Sequence, residues 1–297
     1  MHNRTLKKIE FLQNYLQDWY ETWYAIHPGN ITGFRIGKKN EKGRYCVIFH
    51  VAKKIDLHKL KKRNIVPDFF EIKFPDGKTR RIKTDIEETG SSKFQFSICH
   101  KRLSNNTKVI GTVGVFVRDS NDNIYAITNY HVAAWNHMLN NQFEFNGNEN
   151  DVVVDNSIQS NLIFGLFSTE IDVAFVKVPN FSGLSNNFLS GNYIQSFALG
   201  PISPNAIGLD LKVYSRSKPT GISCTLKNNS AVFNTGFRNL LLKDVIMLDR
   251  VLTIGGDSGS AVMAQNTLIG IIIGADDKYS YAIPYFKINR FVSLDII

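Results

Sequence analysis

From residue 93 onward the chain is a succession of short apolar runs, broken every few residues by Gly, Asn, Asp or Ser. This punctuation constrains the fold more than any other feature of the sequence. The runs 111–117, 124–128, 151–154, 162–167, 173–178, 209–214, 241–248, 260–263, 268–273 and 281–284 are long enough for strands and too short for helices. Their close spacing, with turn residues between them, predicts an all-β sandwich or a pair of barrels. Residues 132–135 and, at the end of the chain, 286–292 are expected to close as short helical runs.

The first 92 residues have another texture. Leu6, Ile9, Leu12, Leu16, Trp19, Tyr20 and Trp23 recur at helical spacing, and His27–Asn30 stops the pattern. That apolar face is expected to pack on its own domain. Strand-like segments follow at 31–37 and 44–52, then a short basic helix from Leu57 to Asn64. A hairpin is expected from 70–74 and 80–86 around Pro75-Asp76-Gly77. The sequence thus divides into a small basic α+β module at 1–92 and a β-rich domain at 93–297, with Thr89–Ser92 as the linker. Charge follows the same division. Residues 1–108 carry 23 Lys and Arg against 11 Asp and Glu, whereas the remainder carries 12 against 15.

Several classes drop out on composition. With 43% hydrophobic and 21% charged residues the chain can bury a core and is not a disordered polymer. No apolar run approaches the roughly 18 residues of a membrane span, so no membrane partner is expected. The opening MHNRTLKKIE lacks the apolar core of a secretory signal. The three cysteines, Cys46, Cys99 and Cys224, are dispersed and form neither a zinc pattern nor a disulfide framework. They read as free thiols in a reducing compartment, and a cytoplasmic location is expected.

Chemistry concentrates at Gly255-Gly256-Asp257-Ser258-Gly259-Ser260. A nucleophilic serine needs its hydroxyl presented on a tight turn, with backbone N–H groups aimed at the oxyanion that forms during acyl transfer. Flanking glycines allow that backbone. The N–H groups of Gly256 and Ser258 are the candidates for the oxyanion hole. The hydroxyl also needs a base, and beyond residue 108 only His131 and His137 are available. His131 ends an apolar run, whereas His137 lies among Asn136, Asn140 and Asn141 and reads as surface. A histidine base in turn needs a buried carboxylate. Asp172 opens the apolar run 172–178, where an unpaired charge is costly to bury.

These segments resemble one family. Thr128-Asn129-Tyr130-His131-Val132, Ile171-Asp172-Val173-Ala174 and Gly256-Asp257-Ser258-Gly259 are similar, in that order and at similar separations, to the histidine, aspartate and serine motifs of chymotrypsin-like and HtrA-like serine proteases. Tyr281-Ala282-Ile283-Pro284 resembles a strand near the end of the HtrA-like members. The resemblance implies a mainly β protein of two six-stranded barrels, one at about 93–185 and the other at about 206–297. It implies a serine endopeptidase working through an acyl-enzyme, with His131, Asp172 and Ser258 as triad and no metal or organic cofactor. The alternative is a catalytically silent protease fold that binds peptides or acts as a scaffold.

The sequence also departs from the secreted members. Val132 follows the histidine where they carry a disulfide-bonded cysteine. Asp257 stands where zymogens receive a freed N-terminal amine, but cleavage at Lys108–Val109 would cut just before an expected barrel strand and is not expected. An internal Lys, an internal Arg or backbone donors, for instance from the N-terminal module, are expected to satisfy Asp257 instead. By the same resemblance, Leu252 occupies the base of the specificity pocket, with Ile272, Ile273, Gly274 and Ala275 on one wall and Tyr281 and Ile283 opposite. An apolar or small residue before the scissile bond follows, although Asp276 and Asp277 lie near enough to reverse it.

The expected partner is a protein or peptide substrate, with the N-terminal module as the candidate surface for a regulatory partner. Its basic groups, Lys53, Lys54, Lys59, Lys61, Lys62 and Arg63, then Lys78, Arg80, Arg81 and Lys83, read as a solvated face balanced by acids. Nucleic acid is not expected as a partner, since no aromatic-basic strand motif accompanies them.

Overall fold

The computed structural model describes residues 7–9, 11–12, 14–16, 30–38, 44–60, 65–90, 93–94, 97–103, 106–154, 158–179, 185–188, 190–215, 217–238, 240–291 and 295–296. Residues 7–9, 11–12 and 14–16 are helical (α1) and bury Ile9, Leu12 and Leu16, as the apolar spacing requires. Trp19, Tyr20, Trp23 and residues 61–64 lie outside the described residues; within the expected basic helix, Leu57–Lys59 forms a single 3-10 turn. Strands β1 (Ile31–Lys38) and β2 (Tyr45–Val51) pair antiparallel. β3 (Phe69–Lys73) and β4 (Thr79–Glu88) form the expected hairpin, and β4 pairs parallel with β2. α1 covers them, and Ile9, Leu12, Leu16, Phe34, Phe49 and Phe74 share one apolar cluster.

The junction that follows is not a free linker. Thr89 is buried, its N–H donates to Val51 O, and its carbonyl accepts from Asp277 N–H. Beyond it come β5 (Lys93–Phe94) and the hairpin β6 (Ser97–Leu103) and β7 (Asn106–Ile110).

Two β bodies make up the rest. The first is a six-stranded sheet ordered β10 (Glu144–Val154), β11 (Ile158–Phe167), β12 (Asp172–Val178), β9 (Ile124–Thr128), β8 (Val115–Arg118) and β20 (Asp295–Ile296). Its last strand therefore comes from the far end of the chain. Two short helices, α2 (Tyr130–Ala133) and α3 (Trp135–Leu139), follow β9.

The second body is ordered β14 (Asp210–Tyr214), β17 (Ala261–Ala264), β18 (Thr267–Ala275), β19 (Ser280–Pro284), β16 (Leu241–Leu248) and β15 (Ile222–Asn234). β15 also pairs with β14, so these six strands close into a ring. The polar stretch Lys227–Ser230 hides β15 in the sequence. The structure takes it up where the pairing shifts register, and Asn228 donates to Ile36 O. A short β13 (Ser196–Phe197) runs parallel to β18, and α4 (Tyr285–Ile288) follows β19, starting one residue before the helix expected at 286–292 and giving way to a turn from Asn289.

The bodies are not independent. One apolar cluster contains Val115, Ile127, Leu162 and Phe175 of the first sheet together with Phe233, Met247, Ile271 and Tyr281 of the second. β1 also adds to β15, at Gly33 opposite Phe233 and Phe34 opposite Val232, so the N-terminal strands continue the second sheet. Val232 and Leu241 sit in the core of the N-terminal module.

Candidate active site

Register alone brings the first two side chains together. Asp172 opens β12 and His131 stands in α2, just past β9; these strands pair antiparallel with Ala174 opposite Thr128. Counting outward from that pair, Asp172 and the start of α2 leave the sheet side by side. Asp172 Oδ2 lies 2.6 Å from His131 Nδ1, and Oδ1 accepts His131 N–H at 3.2 Å. Facing a carboxylate, which only accepts when ionised, Nδ1 is the ring nitrogen placed to carry the proton. Asn129, fully buried, donates to Asp172 O at 3.1 Å and ties the two elements together.

Ser258 lies in the turn between β16 and β17. Gly256 (φ +96°) and Gly259 (φ +92°) both adopt the left-handed region that glycine tolerates, and a Cβ on Gly259 would collide with Thr112 O. The turn is pinned to β18: Gly259 N–H donates to Ile272 O at 2.8 Å and Ile272 N–H to Ser260 O at 2.9 Å. Ser258 Oγ donates to Ile273 O at 3.3 Å.

Residues 111–114 join the serine turn to the histidine side. Thr112 N–H donates to Ser258 O at 2.7 Å and its hydroxyl to Gly256 O at 2.9 Å. On the other flank Thr128 Oγ1 donates to Thr112 O at 2.8 Å, and Gly114 N–H donates to Ile127 O at 2.9 Å. Gly111 is wedged between the Val132 side chain, next to His131, and Ser258 O, so any larger residue would push the two apart. His131, Asp172 and Ser258 are all 0% exposed.

Asp257 is satisfied locally. It accepts from Ser217 Oγ at 2.6 Å, Ser217 N–H at 3.2 Å and Ile254 N–H at 3.0 Å. Of the expected partners, these are backbone donors plus a hydroxyl; they come from the β14–β15 connection and the turn itself, not from the N-terminal module. Ser217, Thr112 and Asn129 brace the candidate site and were not singled out in the sequence. Asn129 was within a legible motif, whereas nothing local marks Ser217.

The residues assigned to a specificity pocket distribute as follows. Leu252 joins the apolar cluster inside the closed ring, with its N–H donating to Ser280 Oγ. Ile273 and Ala275 lie on β18, and Tyr281 crosses from β19 with its hydroxyl donating to Asp276 Oδ2 at 2.8 Å. All four are buried. Asp276 also accepts from Lys278 and Tyr279 N–H, and burial still raises its pKa above the ordinary carboxylate value. Beside it a buried polar cluster joins the two parts of the chain: Glu87 accepts from Tyr279 and Arg35, and His50 lies 3.4 Å from the Tyr281 hydroxyl. Burial lowers the His50 pKa to about 3, assisted by Arg35 and Lys278 and opposed by Glu87.

Elsewhere, Cys46 and Cys224 are buried and outside any disulfide; burial raises the Cys224 pKa to about 12, so that thiol stays protonated. Among the basic groups, Lys59, Arg80 and Arg81 pair with Asp56, Asp76 and Glu71. No helix among the described residues is long and apolar enough to cross a membrane.

A six-stranded sheet carrying an Asp–His pair, a second β body carrying a serine turn, and the site at their junction together define a trypsin-like serine protease fold. No protein-family model matches the chain, and no curated protein matches it in sequence. Among solved structures it is similar to the Nocardiopsis protease NAPase, with 13% identity over 69% of this chain and 96% of that one and a TM-score of 0.47. Protease A of Thermobifida fusca gives 13%, 69%, 97% and 0.46. A glutamic acid specific serine protease gives 17%, 64%, 94% and 0.47.

Proposed function

We propose that the protein is a serine endopeptidase that cleaves peptide bonds through an acyl-enzyme. The contact between Asp172 and His131 Nδ1 carries this reading, because it assigns Nδ1–H as donor and leaves Nε2 as the base. In the reaction Nε2 takes the Ser258 proton while Oγ attacks the scissile carbonyl. The N–H groups of Gly256 and Ser258 hold the oxyanion, and the buried Asp172 carboxylate stabilises the imidazolium. His131 then protonates the departing amine. Water repeats the sequence on the acyl-enzyme and frees Ser258.

The substrate strand lies along β18, with Ile273, Ala275 and Tyr281 shaping the site for the residue before the scissile bond and Leu252 supporting it from within the ring. An apolar or small residue is the preferred one there, since Asp276 is already engaged by Tyr281 and two backbone amides.

A peptide-library digest run in parallel with wild type and Ser258→Ala tests both activity and preference. Cleavage lost in Ser258→Ala is the expected result. Equal digests from the two, repeated with the β5 variant described below, would overturn the reading and leave the silent peptide-binding fold. Clusters of Asp or Glu before the cleaved bonds would overturn the assigned preference.

A further inference from the structure

One edge of β18 is used along its whole length, and the order of its neighbours is informative. β17 pairs with its first half, up to Ala261 opposite Ile271. The serine turn comes next, with Gly259 and Ser260 bonded to Ile272 and Ser258 Oγ donating to Ile273 O. Then β5 takes over, with Phe94 opposite Gly274 and Lys93 opposite Ala275. The other edge at these positions belongs to β19. The strand from the module–protease junction therefore occupies the edge immediately past the nucleophile. Because it runs antiparallel to β18, its direction from Lys93 to Phe94 points toward Ser258.

Three further observations agree. Both His131 and Ser258 are 0% exposed, so no peptide reaches them in this state. The chain resumes as the β6–β7 hairpin, and β7 lies against α2, the element that carries His131. β5 thus lies on the serine side of the site and β7 on the histidine side. The start of this segment is moored as well: Thr89 O accepts from Asp277 N–H in the β18–β19 turn, and Glu87 accepts from Tyr279 of the same turn.

An exposed strand edge is a docking place for extended peptide, with main-chain hydrogen bonds supplying affinity. We propose that Lys93–Phe94 is a built-in blocking strand. It fills the β18 edge on which a substrate peptide would pair, and the described state is latent until β5 leaves. This rests on Ser258 being the nucleophile. A tethered strand acts at an effective concentration of about millimolar, so a free peptide competes poorly with it.

The test separates the two readings by measuring binding apart from chemistry. A fluorescein-labelled peptide with the sequence of residues 90–97 is titrated against full-length Ser258→Ala, and against Ser258→Ala carrying Lys93→Pro and Phe94→Pro. Proline lacks the N–H that a ladder needs. The expected result is at least about tenfold tighter binding by the proline variant, the tether's advantage having been removed. Equal affinities, or no binding by either chain, overturn the blocking strand. If circular dichroism shows the proline variant unfolded, the Lys93→Gly/Phe94→Gly chain is read instead, with a smaller gain in the same direction. Fluorophosphonate labelling of the chains that retain Ser258 is measured alongside. Faster labelling after strand disruption supports latency. A gain in peptide binding with no labelling in any chain keeps the blocking strand and overturns the endopeptidase reading.

Discussion

The two β bodies solve the same problem in different ways. The second closes on itself: β14 pairs with both β17 and β15, so its backbone edges are largely used up. The first is an open run from β10 to β20 among the described residues. The closed ring carries the serine turn and the strand that supports it. The open sheet carries the Asp–His pair, and that pair depends on a single register between β9 and β12. A closed ring thus sits beneath Ser258, while His131 is placed by one pairing plus two buried hydrogen bonds from residues 129 and 131. The comparison teaches that each half of the site is internally fixed, and that residues 111–114 set the halves against each other.

The sharpest way to break this picture is to remove one group from each side. Ser258→Ala from the ring and His131→Ala from the open sheet are each expected to lower kcat/KM for peptide hydrolysis by about 10⁴-fold or more. The double variant should be scarcely worse than either single, because the groups act as a unit. Additive losses would mean that the two halves do not cooperate.

Next in size are truncations within the cores. Leu162→Ala in the first sheet and Leu226→Ala in the ring each delete a fully packed side chain, and each should cost about 2–5 kcal/mol in urea unfolding. Since one apolar cluster spans both bodies, both variants should shift a single transition. Two separate transitions would show that the bodies unfold independently.

A pH measurement addresses the seam with the N-terminal module. His50 has its pKa lowered from 6.5 to about 3. Between those values the unfolded chain binds a proton that the folded chain refuses. Its contribution is therefore complete above pH 6.5 and is lost as pH falls toward 3, at up to about 1.4 kcal/mol per pH unit. His50→Gln should lack that slope, so the difference between the wild-type and variant stability curves should carry it. Parallel curves over about pH 4–6.5, within the window spanned by the linkage, would remove His50 as the cause.

The smallest effect belongs to the rim of the open sheet. Arg118 and Asp122 form an exposed pair at 3.3 Å, and Asp122→Asn should change stability by less than about 0.5 kcal/mol. A larger loss would show that this turn matters more to the open sheet than its exposure implies.

Much was readable beforehand. The strands at 124–128, 173–178, 241–248 and 268–273 carry apolar runs that survive any context, and the β3–β4 hairpin announces itself through Pro75-Asp76-Gly77. Strand β15 was obscured by Lys227–Ser230, since polar residues at a bulge look like a loop. Thr89, small and next to a glycine, looks like linker chemistry, yet tertiary contacts bury it.

The sequence by itself determined that the protein would be mostly strand, and it nominated the three side chains proposed here for acyl transfer. It did so because strand runs and a glycine-flanked serine are local patterns. Only the tertiary structure decided that β1 continues the second sheet, that Ser217 satisfies Asp257, and that Lys93–Phe94 lies beside the serine. Those are pairings between residues distant along the chain, and backbone hydrogen bonds leave no signature in the side chains that make them.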